Sequence, residues 1–99
     1  MSRADKILKQ WRGSGGKGKA YSVTEVIAVL ENSIDKEYLT FSKGGSHFCH
    51  IIHPKLNEIT GVNELGILAV VRKGNKVWRW YIDRIIQAID ILDKEENQE

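Results

Sequence analysis

All three histidines of this chain and its one cysteine fall within residues 47–53, in the run Ser46-His47-Phe48-Cys49-His50-Ile51-Ile52-His53. Imidazoles and thiols ligate transition metals, carry protons near neutral pH or attack as nucleophiles, so three chemistries compete for this segment. As an extended strand it points His47, Cys49 and His53 to one face and His50 to the other. At roughly 3.3 Å per residue His47 and His53 then stand about 20 Å apart. No compact metal shell takes in all three imidazoles, and neither a metal nor another cofactor is expected. Cys49 has His47 and His53 on its own face as possible bases, but an isolated cysteine in a strand usually serves as a small buried hydrophobe, and it is given no role. His47 differs by its place. It opens the strand directly after a Gly-Gly-Ser turn, where its side chain can be exposed beside backbone amides, though a plain surface histidine at a hairpin end fits the composition as well.

A histidine at a strand end is only as well placed as the strands around it. Residues 38–42 alternate with a period of two, Leu39 and Phe41 on one side and Tyr38, Thr40 and Ser42 on the other. Lys43-Gly44-Gly45-Ser46 supplies a turn, and residues 47–53 continue in β-favouring types until Pro54, which together make a hairpin. Residues 54–66 lack periodicity and read as a loop. The apolar residues 67–71 form a third strand, closed by the turn-like Lys73-Gly74-Asn75-Lys76.

Helices flank the strands. Ser22 and Glu25 have the spacing of a capping box, and Val23, Val26, Ile27 and Leu30 follow on one face, predicting a helix over 22–32. Residues 77–82 alternate enough to suggest a fourth strand, but Ile82, Ile85, Ile86, Ile89 and Leu92 form a helical stripe that places a helix over 80–93. Trp78, Trp80 and Tyr81, at its start, are expected to anchor it by packing more than to stack on nucleic-acid bases. Ile7, Leu8 and Trp11 predict a short leading helix, ended by the glycines of 13–18. That glycine-rich stretch fits a flexible linker better than a phosphate-binding loop, having neither a preceding strand nor a closing Gly-Lys-Ser/Thr. The expected fold is α+β, with a helix, three antiparallel strands and a helix in two layers that leave one sheet face open. A basic helical arm spans 1–20, the domain 21–93, and an acidic tail 94–99.

At 99 residues the chain suffices for one domain with one core. Its net charge of +2 conceals an uneven spread. Residues 1–20 hold six cations against Asp5, residues 43–84 seven against three acids, and residues 90–99 five acids against Lys94. A basic body of this kind suits a polyanionic partner. The longest apolar runs, 26–30 and 67–71, are too short to span a bilayer, and the first residues lack the apolar stretch of an export signal. No membrane association and a cytoplasmic location are expected.

Over residues 21–92 the sequence resembles the HicA toxins of bacterial toxin–antitoxin systems. The likeness lies in the Val-Ile-Leu helix face and in Phe41-Ser42-Lys43-Gly44-Gly45-Ser46-His47-Phe48, which looks like the family's Gly-Ser-His motif. It extends through His53-Pro54 to the apolar third strand and its Lys/Gly turn. Residues 1–20 have no counterpart in the shortest such chains, and the 54–66 loop is longer than theirs. The resemblance implies a fold like the double-stranded RNA-binding domain and an mRNA-cleaving endoribonuclease, held inactive by a HicB-like antitoxin that covers the histidine.

It also implies that His47 is catalytic. In metal-free RNA cleavage the ribose 2′-hydroxyl attacks the adjacent phosphate, and an imidazole, which titrates near about 6.5, moves the proton. Lys43 and the amides of Gly45 and Ser46 are the expected donors to the phosphate, with Ser46 also placed to orient the ring. Arg72, Lys73, Lys76 and Arg79 are expected to hold neighbouring phosphates. Two other readings compete: a non-catalytic RNA-binding module on the same basic face, and an interaction protein in which Gly-Ser-His is accidental.

Overall fold

The computed structural model describes residues 3–13, 20–42 and 45–96. The glycine-rich stretch 14–19, Lys43 and Gly44 of the expected turn, and residues 97–99 of the acidic tail lie outside them.

Three helices form where apolar residues recur at helical spacing. Helix α1, Arg3–Gly13, buries Ala4, Ile7 and Trp11 along one side. Helix α2, Val23–Ser33, is capped by Ser22, whose Oγ accepts the Glu25 amide at 3.1 Å. Val26, Val29 and Leu30 are fully buried. Helix α3, Arg79–Glu96, buries Ile82, Ile85, Ala88, Ile89 and Leu92, a stripe recurring every three or four residues.

The expected hairpin and third strand form an antiparallel sheet, β2 (Leu39–Phe41), β3 (His47–Ile52) and β4 (Ile67–Val71), in the order β2-β3-β4. One face carries Cys49, Ile51, Leu68 and Val70 into the core, all at most 2% exposed. The opposite face, running across Thr40, His50 and Ala69 in one row, is only partly shielded. The architecture is therefore α+β, with the expected order of helix, three antiparallel strands and helix at its centre.

Two short strands lie outside the expected three-stranded sheet. Strand β1, Ala20–Ser22, pairs antiparallel with β5, Lys76–Trp78, in a separate two-stranded sheet. Val77 is fully buried between exposed Lys76 and Trp78, the alternation of a strand compressed into three residues. The strand suggested at the start of 77–82 therefore exists, and α3 begins directly after it at Arg79. The loop also has structure of its own. A 3-10 helix, Pro54–Glu58, buries Leu56, and Ile59 follows it into the core. Gly66 closes the loop at φ +76°, with so little space that a Cβ would lie 2.0 Å from the His53 carbonyl oxygen.

Helix α1, expected as part of a basic arm, shares the common core. The Arg12 guanidinium grips the Asp90 carboxylate through two bonds of 3.1 and 2.7 Å, joining α1 to α3, while Asn32 of α2 donates to Asp5 at 3.1 Å. Trp11 is 1% exposed. Among the described residues no helix is long and apolar enough to cross a membrane.

Candidate functional site

The turn before β3 sets the position of His47. Gly45 takes φ +78°, a conformation that favours glycine, and the Ser46 carbonyl accepts the Arg72 amide at 2.8 Å. The turn is thereby fastened to the end of β4, and the Arg72 Nε donates back to the Gly45 carbonyl at 3.3 Å. His47 itself is exposed, opposite Val71, with its Nδ1 3.5 Å from the Ser46 Oγ. That hydroxyl sits where it can fix the ring's orientation.

Beside the turn lies an open groove of about 430 Å³ lined by Gly45, Ser46, Arg72, Lys73 and Gly74. Its described lining carries two cations and no carboxylate. A polyanion settling there meets only favourable charge, and exposed backbone close to the histidine. A second groove, about 270 Å³, lies on the other side of Arg72 between α2 and the hairpin, where Phe41, Phe48 and Ile27 make it largely apolar.

Of the residues singled out from the sequence, the fold brings Gly45, Ser46, His47, Arg72 and Lys73 to one end of the sheet. Lys43 lies outside the described residues. Lys76 is exposed on β5, where its backbone pairs with Ser22 and makes an isolated bridge to Lys73. Arg79 is engaged elsewhere. Its guanidinium donates to Asp83 at 2.9 Å, to the Tyr21 hydroxyl at 2.9 Å and to the Trp11 carbonyl at 2.8 Å, and it lies over the Tyr21 ring. Burial works against its charge, but the Tyr21 and Asp83 partners outweigh burial and raise its pKa. Arg79 joins α1, β1 and α3, and its donors are spent inside the protein.

The structure corrects the expected facing of the histidines. Between His47 and Cys49 the β3–β4 register shifts: two steps along β3, from 47 to 49, answer one step along β4, from 71 to 70. This β-bulge accommodates Phe48 as an extra residue, so Phe48 and Cys49 are buried in succession. His47 consequently lies on the face of His50, not opposite it. The two rings are 6.3 Å apart between centroids and within 12° of parallel. The signal for this was Phe48-Cys49, two consecutive apolar residues interrupting an alternating strand.

The remaining candidates have structural duties. Cys49 is fully buried, and burial pushes its thiol up to about 12. His53 caps the 3-10 helix, its Nδ1 accepting the Lys55 amide at 3.1 Å, while its ring meets Tyr38 edge-on. Trp80 is 44% exposed rather than in the core. It lies between Gly61 and the Arg84 guanidinium, 4.2 Å above its ring, and Arg84 also donates to the Thr60 carbonyl, which fastens the 54–66 loop to α3. Trp78 is 46% exposed, so the expected packing duty does not hold for it. The chain matches no protein-family profile, no curated protein and no solved structure.

Proposed function

We propose that this protein is an endoribonuclease that cleaves RNA, mRNA in the cell, by histidine chemistry without a metal, and that it is the toxin of a toxin–antitoxin pair silenced by a HicB-like partner. The observation that carries this reading is the exposed His47, next in the chain to Ser46, which with Gly45, Arg72, Lys73 and Gly74 lines a groove whose described lining is cationic and free of acid. Such a site needs no cofactor to act on RNA, because the nucleophile is the substrate's own 2′-hydroxyl and the protein has only to move protons and steady the phosphate. Arg72 and Lys73 take the phosphate role. The Gly45-Ser46 turn brings backbone close to the substrate, exposed Lys76 extends the cationic surface, and Lys43, outside the described residues, keeps its expected role as a donor to the phosphate. Arg79 is left out, its donors being committed to Trp11, Tyr21 and Asp83. A partner covering the Gly45–His47 turn would silence the enzyme by occlusion alone.

The test is incubation of the wild type and His47→Ala with end-labelled single-stranded RNA in excess chelator. Wild-type cleavage with a loss of at least about 100-fold in the variant is expected, the range found for removal of a proton-transfer group. Retarded but intact RNA with the folded wild type would instead favour the non-catalytic binding module.

A further inference from the structure

Resting on that reading, we propose that His50 is a second catalytic residue, and that His47 and His50 divide the work of RNA cleavage as an acid–base pair. Cleavage through the 2′-hydroxyl needs two proton transfers on opposite sides of phosphorus. One neutral imidazole takes the proton of the 2′-hydroxyl as the 2′-oxygen–phosphorus bond forms. An imidazolium gives a proton to the 5′-oxygen as the phosphorus–5′-oxygen bond breaks. The products are a 2′,3′-cyclic phosphate and a free 5′-hydroxyl, and the two rings end with their protonation exchanged, to be reset by solvent. A single histidine serves one side only.

The bulge supplies the second. On a regular strand residues three apart face opposite ways, whereas the extra residue at Phe48 makes His47 and His50 neighbours on one face. Their separation of 6.3 Å is close to the two-residue repeat of an unbulged strand. With planes within 12° of parallel, one phosphate can meet a nitrogen of each ring. His47 is exposed and His50 half-buried, so both rings retain access to solvent. His50 lies between Thr40 and Ala69 in the ladder, both short side chains, Thr40 exposed and Ala69 half-buried. Strands β2, β3 and β4 contain no Asp, Glu, Lys or Arg, so these two imidazoles are the ionisable groups of that stretch of open face. The charged residues nearest these strands along the chain are Glu37 before β2, Lys55 after β3, Glu64 before β4, and Arg72 and Lys73 after β4, with Lys43, between β2 and β3, outside the described residues. Cys49, between the two histidines in sequence, faces the core and takes no part.

The experiment is the pH–rate profile for cleavage of a short oligoribonucleotide in excess chelator, for wild type, His47→Gln, His50→Gln and His50→Asn, each shown folded by circular dichroism. A bell is expected for the wild type. Each variant should lose at least about 100-fold in rate and one limb of the bell. A substrate whose 5′-oxygen is replaced by sulfur, a leaving group that needs no proton, should restore the rate of one histidine variant and not the other, which also assigns the acid. His50 variants that keep both limbs and cleave within about threefold of wild type would overturn the pair while leaving the endoribonuclease standing. So would equal rescue of both histidine variants, or rescue of neither. Intact RNA with the folded wild type would overturn the endoribonuclease and the pair together.

Discussion

Two residues of adjoining position, Cys49 and His50, meet opposite fates because one faces the core and the other the open side of the same strand. For Cys49 the consequence is chemical silence. Burial pushes its thiol from 9.0 up to about 12, so the thiolate that reacts with alkylating agents is almost absent from the native protein at neutral pH. Native protein at about pH 8 should therefore resist iodoacetamide and react once unfolded in urea, as followed by mass. The same shift makes stability depend on pH. The unfolded chain gives up this proton first, so the contribution is whole below the unfolded value and is lost as pH rises through the folded one. Between about pH 8 and about pH 10.5 the urea midpoint of the wild type should fall more than that of Cys49→Ala, whose starting stability is lower because a buried side chain has been truncated. Equal falls would show that the thiol remains unperturbed.

The elements differ in how clearly the sequence announces them. Helix α2 and strand β4 were legible, because a cap with four apolar residues on one face, or five apolar residues bounded by turn types, leaves one solution. Ser22→Ala should cost about 1 kcal/mol in urea unfolding, the usual worth of such a cap. Strands β1 and β5 were not legible as a pair, since each is three residues long and gains its ladder from a partner more than fifty positions away. The bulge in β3 was invisible to a strict period of two. The site inherits this pattern: the Gly45–His47 turn could be read from the chain, whereas the joining of Arg72 to that turn, the loss of Arg79 to the interior and the turning of His47 to the face of His50 all depend on tertiary pairing. Loop residues 54–66 hid their order for the same reason. Gly66→Ala tests how tightly that loop is held. A methyl group 2.0 Å from the His53 carbonyl cannot be accommodated without moving backbone, and the loss should reach at least about 2 kcal/mol.

At the scale of the whole molecule, charge and cohesion are carried by different arginines. Arg79 joins three elements through largely shielded bonds, so Arg79→Met should cost about 2 kcal/mol, more than Asp83→Ala, because Asp83 is 45% exposed and its ion pair is screened by water. A loss from Asp83→Ala as large as from Arg79→Met would place the junction's strength in the ion pair alone. Lys73 is exposed and Arg72 half-buried, and both line the groove. On the proposed reading, replacing either with alanine should weaken RNA binding and flatten the dependence of log affinity on log salt by about 0.7 to 1 per cation removed, with little loss of thermal midpoint beyond the exposed Arg72–Gly45 bond. Unchanged slopes in both variants would move the RNA path away from the Gly45–Lys73 groove.

The seating of Trp11 also bears on the order in which the molecule is made. Its helix is synthesised before α2 and α3, yet its carbonyl is gripped by Arg79, 68 positions later, and neighbouring Arg12 is held by Asp90, 78 positions later. During translation α1 can lean on α2 through Asp5 and Asn32, but the other wall of its seat does not exist until α3 has been made. Of helices α1, α2 and α3, the one made earliest is thus the one whose packing is completed last, and the closing contacts are among the most distant in sequence, where the entropic cost of loop closure is highest.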